Sequence, residues 1–383
     1  MTKRIWLIAI APVVLTVVGL HGIGEETRPA ARGQWDIAIT LPRPPRKGKP
    51  QKPSIAHLWL PKGEGEIRGL ILAGKIRLES RICNDPVIRK AAVDKRLGIV
   101  YFEPHFNAVF SYATTNSEND LLKSLSQLAK KTGRPELATV PWITMGHSTG
   151  GIFCRNVAFW KPQRVIGVIH IMSGNFQDHI QDKSRTLAGV PFLAINGEFE
   201  DCGPAGGDIG RGLRAAYSLH PDNKKKRNQT QWILIRSQML ARRRKNPDNL
   251  MSLVVHRESG HVSWSDDMTA LTARFIRSAA DARIPKSEPG GKMVVACRKL
   301  TARDGWLSDA DIKAPKFKPA PHGEYKGDKT LAFWHVDKAM ARAVEKYHAR
   351  GWRDADPTAA LPAKQRYAPP VMLRDAIDSK EAK

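Results

Sequence analysis

The sequence predicts an α/β fold, a mostly parallel sheet with helices on both faces, followed by a C-terminal extension. Three observations predict it. From Ile67 onward, short apolar runs rich in β-branched residues alternate with amphipathic segments of helical length. The runs are apolar through most of their length, as strands covered on both faces are. And a Gly-x-Ser-x-Gly pentapeptide, Gly146 to Gly150, stands between one such run and a helical segment.

The elements follow in order. Lys3 and Arg4, the apolar stretch Ile5 to Leu20, and small residues at Gly22 and Gly24 read as an export signal over residues 1–24. The stretch is short for a membrane span of about 20 residues. No A-x-A site follows it, so an uncleaved anchor is the alternative. The expected location is secreted or periplasmic, with a membrane as partner only if the signal is retained.

Residues 33–285 are expected to form the main domain. Leu41 to Pro53, rich in Pro, Lys and Arg, is a basic loop, because proline removes ladder donors. Ser54 to Leu60 and Ile67 to Ala73 read as two strands of a hairpin, with its turn at Lys62 to Gly65. A helix over Pro86 to Lys95, a strand over Gly98 to Phe102 and a helix over Glu118 to Lys131 come next. That last helix puts Leu121, Leu122, Leu125 and Leu128 on one face.

Val140 to Met145 reads as a buried strand. Gly151 to Trp160 reads as a helix with Ile152, Val157 and Trp160 on its apolar side, stopped by Lys161-Pro162. Strands follow at Val165 to Met172, Val190 to Asn196 and Leu250 to Val255, then a helix from Asp266 to Ala280. Between Asp201 and Asn249 lie a Gly-rich loop, the basic run Lys224 to Arg227, and a helix from Thr230 to Arg244. A second basic run, Arg242 to Lys245, closes that helix, where positive charge suits the dipole. This segment is either a partial lid over the site, its basic runs near the mouth, or a surface excursion. Residues 286–383 are expected to pack on the main domain as an extension. They hold one helix over Val336 to Ala349, and are too small and loop-rich for a core of their own.

Composition bounds the function. The 383 residues suffice for one large domain and an extension, and Lys plus Arg exceed Asp plus Glu by 25. That excess favours anionic partners, namely acidic glycans, nucleic acid or anionic lipid surfaces, or it is the solvated surface of a basic exported protein. No nucleic-acid module signature is present, so no nucleic-acid partner is expected. Cys83, Cys154, Cys202 and Cys297 allow one or two disulfides in an exported chain. Their spacing suggests no metal site. Asn228-Gln229-Thr230 matches a glycosylation sequon.

The pentapeptide carries the chemistry. A serine on a sharp turn between strand and helix is lifted out of the sheet. The first N–H groups of the helix then point at whatever its Oγ attacks. Gly146 and Gly150 leave room for the close strand-helix approach. This stretch, Gly146-His147-Ser148-Thr149-Gly150-Gly151, resembles the nucleophile elbow of the α/β-hydrolase superfamily, in the form found in its lipases and esterases.

A hydroxyl needs a base, and the base an orienting carboxylate. The resemblance implies the order Ser, acid, His. It places the acid after the strand ending at Asn196, three residues beyond Gly197, which is Glu200. A glutamate there departs from the commoner aspartate, and Asp201 and Glu198 are the alternatives. The Gly260-His261 pair before the last helix looks like the catalytic histidine, His261. His256 is read as structural and His147 as packing. One oxyanion donor is expected from Thr149. The other is expected from Lys75, just after Gly74, as polyester hydrolases and related lipases place it. Trp264, Phe106 and Trp142 are candidates for an apolar wall, or for core. The resemblance implies a serine ester hydrolase with no metal or organic cofactor. The substrate is an ester of glycan, lipid or polyester type, possibly an anionic polymer. A peptidase or acyltransferase of the same fold, or a non-catalytic protein binding an anionic polymer, are the alternatives.

Overall fold

The computed structural model describes residues 35–41, 43, 50–63, 65–105, 110, 116–174, 186–198, 200, 231–257, 259–285 and 296–350. Its main sheet is built from β1 (Ile37–Leu41), β2 (Ser54–Trp59), β3 (Gly69–Gly74), β4 (Leu97–Glu103), β5 (Trp142–His147), β6 (Val165–Ile171), β7 (Phe192–Gly197) and β8 (Met251–His256). The eight strands lie in the order β1-β2-β4-β3-β5-β6-β7-β8. β2 pairs antiparallel with β1 and β4, and every later pair is parallel.

Alternation along the strands sorts the core into two layers. Ile71 and Ala73 of β3, with Ile143 and Met145 of β5, pack against α1 (Glu79–Asn84), α2 (Pro86–Asp94) and α6 (Asp266–Arg283). Leu70 and Leu72, with Trp142, face the other way, against α3 (Ser117–Thr132), α4 (Gly150–Trp160) and α5 (Gln231–Lys245). The helices start and stop where their ends can be satisfied. Asp85 caps α2 by accepting from the Val87 N–H, with Pro86 at the first helical position. Gly133 ends α3 in the left-handed region at φ 67°.

Several expectations are corrected. Residues 54–60 and 67–73 do not form a hairpin: β2 pairs with β1 and β4, while β3 sits between β4 and β5. A strand apolar on both faces gains more from burial inside the parallel sheet than at its antiparallel edge. β1 and α1 were not anticipated; β1 alternates half-buried and exposed positions up to the buried Leu41, as an edge strand does. In α4 the buried side is Phe153, Cys154, Val157 and Ala158, with Ile152 and Trp160 only partly covered. Cys83, Cys154 and Cys297 are free and buried, so the disulfides that the count allowed do not form among them. Cys202 lies outside the described residues, as do the sequon, Lys224 to Arg227 and the export segment. Among the described residues, no helix is long and apolar enough to cross a membrane.

The extension contains more regular structure than its composition suggested. β9 (Trp306–Asp309), β10 (Ala320–Pro321) and β11 (Ala332–His335) form a second sheet in the order β10-β9-β11, followed by α7 (Lys338–His348). Leu307, Trp334, Met340 and Val344 share one buried cluster with α6. β8 is the last strand of the main sheet, and side chains of α7 satisfy its outer edge. The Val255 N–H donates to His348 Nε2 (3.2 Å) and the Arg257 N–H to the Tyr347 hydroxyl (3.0 Å).

The chain steps from β3 to β4 on one side and then crosses to β5 on the other. That reversal is a topological switch point at the carboxyl ends of β3 and β5, the place where such sheets bind ligands.

Candidate active site

Ser148 follows β5 directly and has φ +53°, a conformation costly for any residue with a β-carbon. The turn is held because the Ser148 N–H donates to the Ile171 C=O (2.9 Å) and the Gly151 N–H to the Ser148 C=O (3.0 Å). A β-carbon on Gly146 would stand 2.3 Å from the Gly150 carbonyl, so only glycine admits this approach of α4 to β5.

The other two predicted residues arrive from the ends of β7 and β8. His261 Nε2 lies 3.0 Å from Ser148 Oγ, and His261 Nδ1 lies 2.5 Å from Glu200 Oε1. A carboxylate only accepts, so Nδ1 carries the proton and Nε2 is free to accept from the serine hydroxyl. Glu200 is fully buried. Its second oxygen accepts from Asn196 Nδ2 and from the Gly197 N–H, both at 3.1 Å. Those two donors, given by the end of β7, offset the desolvation of a carboxylate. The alternative Glu198 is turned elsewhere, with Oε1 3.6 Å from Lys313 Nζ. Asp201 lies outside the described residues.

A serine on the strained turn after β5, an acid after β7 and a histidine after β8 now stand on a sheet of order 1-2-4-3-5-6-7-8. The chain has the α/β-hydrolase fold.

Comparison with known proteins stays at the level of fold. No family model matches the chain, and no curated relative matches it. Among solved structures, it is similar to an α/β serine hydrolase without a lid from Xanthomonas campestris. That pair is 14% identical over 66% of this chain and 96% of the other, with a TM-score of 0.35. It is also similar to a poly(3-hydroxybutyrate) depolymerase from Bordetella parapertussis, at 17% identity, 66% and 91% coverage and a TM-score of 0.36. An esterase of Pyrobaculum calidifontis gives 12%, 66%, 88% and 0.38. These likenesses are distant, and the fold assignment rests on strand order and on the place of Ser148.

On the hydrolase sheet the remaining predicted residues separate. The Thr149 N–H, at the start of α4 and next to Ser148, has no acceptor among the described residues. Lys75 is different: its N–H donates to the Phe102 C=O (2.8 Å), and its Nζ pairs with Glu103. The donor expected from Lys75 is therefore engaged in the sheet ladder. The next two N–H groups, Ile76 (3.1 Å) and Arg77 (2.9 Å), both donate to Glu79 Oε2. Glu79 was missed from sequence, because nothing in its spacing marks a charged residue at the start of a short helix as buried.

His147 does more than pack. Its Nε2 donates to the His261 C=O (2.7 Å), while Nδ1 has no partner among the described residues. Burial, then the neighbouring His261, pushes its imidazole down to about 4, so it is neutral at pH 7. His256 is buried on β8, and its carbonyl accepts from the Glu198 N–H and Ser259 Oγ. Trp264 is core, its Nε1 bonded to Thr269 Oγ1. Trp142 opens β5 at the far end from Ser148 and stacks on Trp160, so it lines no wall of the site. Phe106 lies outside the described residues. Burial raises the Cys154 thiol well above its ordinary value, so it is no nucleophile.

The basic run Arg242 to Lys245 does not flank the mouth. The Gln231 N–H donates to the Glu200 C=O, so α5 begins at the acid loop. Its 15 residues carry the run about 20 Å to the opposite end of the sheet. There Arg243 is fully buried and donates to the carbonyls of Ala332, Pro247, Asn249 and Lys329.

Proposed function

We propose that the protein is a serine hydrolase that cleaves carboxylic esters through an acyl-enzyme. The observation that carries this is the unbroken line Ser148 Oγ, His261 imidazole, Glu200 carboxylate, at 3.0 and 2.5 Å. In this reading Ser148 is the nucleophile, His261 the general base and then general acid, and Glu200 the orienting acid.

The steps follow from the geometry. The Ser148 hydroxyl proton passes to His261 Nε2 as Oγ bonds to the ester carbonyl carbon. The imidazolium so formed keeps its Nδ1–H on Glu200, whose charge stabilises it. The oxyanion takes the Thr149 N–H, the donor left without an acceptor. His261 gives its proton to the departing alkoxide, and the alcohol leaves. Water, deprotonated by the same His261, then attacks the acyl carbon and returns Ser148. The acyl or alcohol part is glycan, lipid or polyester in type. Export through residues 1–24 belongs to the same proposal.

A fluorophosphonate probe tests the site, since it labels an activated serine and ignores an ordinary one. Labelling that Ser148→Ala abolishes is the expected result; labelling elsewhere rejects the assignment. Activity on a panel of short and long acyl esters, feruloyl and acetyl glycan esters and an aliphatic polyester separates the substrate classes. Peptide cleavage with no ester turnover would reject the ester reading.

A further inference from the structure

β3 and β5 pair side by side from Leu70 and Trp142 to Ala73 and Met145. Beyond that register β3 ends at Gly74 and the chain turns away, while β5 runs on to His147. Such a parting strands main-chain donors on both sides, in a buried place where an unpaired N–H is costly. On the β5 side the donor is the N–H of His147, the residue before Ser148. On the β3 side the donors are the N–H groups of Ile76 and Arg77.

One side chain closes the gap. Glu79 Oε1 accepts from the His147 N–H at 2.7 Å, and Oε2 from Ile76 at 3.1 Å and Arg77 at 2.9 Å. Glu79 is fully buried. Burial raises its carboxyl from the ordinary value, and the N–H bonds oppose that shift. The same carboxylate presses on the first turn of α4. A β-carbon on Gly150 would stand 2.9 Å from Glu79 Oε1 and 3.4 Å from Ile76 Cγ1.

The geometry points to Glu79 as a positioning residue of the hydrolytic site. Its carboxylate sets the Ile76–Arg77 turn against the elbow and so fixes the wall of the oxyanion hole opposite the Thr149 N–H. This rests on the assignment of Ser148, His261 and Glu200 above. Glu79 touches no reacting atom and acts through the main chain it holds. With the Lys75 N–H on Phe102, the approach of this loop to the oxyanion depends on where Glu79 holds Ile76. A misplacement of about 1 Å in such a site costs on the order of 10²-fold in rate.

The test is Glu79→Gln beside Gly150→Ala, with turnover on a small neutral ester normalised to active sites titrated by fluorophosphonate. The amide has the shape of the acid but one accepting oxygen, so it cannot serve both His147 and the loop. Expected for Glu79→Gln is a kcat about 10- to 100-fold lower with KM within about threefold. Gly150→Ala pushes on the same contact from the α4 side and favours its helix. It should lower kcat in the same direction with KM unchanged. A folded Glu79→Gln protein with wild-type kcat per titrated site, whatever its melting temperature, overturns the proposal. Should that variant not fold, Gly150→Ala decides alone, and wild-type kcat there overturns it. Ser148→Ala is the control: turnover retained in it rejects the site assignment and this proposal together, while its loss leaves the Glu79 result to be read by itself.

Discussion

The ring of His147 donates a hydrogen bond to the backbone carbonyl of His261, Nε2 to O at 2.7 Å. One residue of the elbow thus holds the loop that carries the base. The base is fixed from two sides, by Glu200 on its ring and by His147 on its main chain. His147→Phe keeps the bulk and loses the donor. It should lower kcat about tenfold with little change in KM, since only the placement of His261 is disturbed. Steady-state kinetics at pH 8 check this, and an unchanged kcat would mean that the bond is only structural.

Ser148→Ala should lose on the order of 10⁴–10⁶ in kcat and remain folded. Circular dichroism and ester turnover measured on one preparation decide it.

The acid assignment separates two buried carboxylates. Glu200→Gln should cost roughly 10⁴ in kcat, because the orienting charge on Nδ1 is lost. Glu198→Gln should stay within a few-fold, since that carboxylate faces Lys313. Asp201→Asn should also cost far less than Glu200→Gln. The opposite ranking of Asp201 and Glu200 would move the acid to Asp201.

Buried imidazoles make stability depend on acid. Burial pushes His147 and His256 down to about 4, and His105, His335 and His348 down to about 3. In the unfolded chain these groups take up protons near pH 6.5. Between about pH 6.5 and pH 3–4 the unfolded state therefore binds more protons, and stability falls as pH falls. Melting temperature should drop steadily across that window. His335→Gln should flatten the slope, since it removes a ring held between Ser252 and Ser308. A melting temperature independent of pH from 7 to 4 would contradict this.

Charge reversal at Arg242 and Arg244 should leave kcat/KM on an anionic polymeric ester, and its salt dependence, unchanged. The run lies about 20 Å along α5 from the acid loop, beyond a screening length of about 8–10 Å. A steep loss of rate in that double variant, across a salt series, would place the run near the substrate.

What could be read from the residues in order was what is local. A run such as Ile143 to Met145 declares a strand by its apolar side chains. The pentapeptide around Ser148 declares its turn by two glycines whose reason is steric. The loops holding Glu200 and His261 were recognisable through the resemblance to the α/β-hydrolase superfamily, which implies an acid and then a histidine after later strands. Strand order was not readable: the Lys62 to Gly65 turn looks the same whether β3 pairs with β2 or slips between β4 and β5.

The sequence by itself determined the alternation of elements and the turn that carries the serine, because periodicity and turn chemistry act over a few residues; the acid and histidine loops were implied by the resemblance those residues carry. Only the tertiary structure decided which carboxylate faces His261, that the Lys75 N–H belongs to the ladder, that Arg243 is buried, and that Glu79 lies beneath the elbow. Each of these depends on polar groups brought together from distant segments. Glu79 and His147 are 68 positions apart in the chain and 2.7 Å apart in space. A charged side chain is buried only where folding brings it polar partners, N–H groups for Glu79 and backbone carbonyls for Arg243.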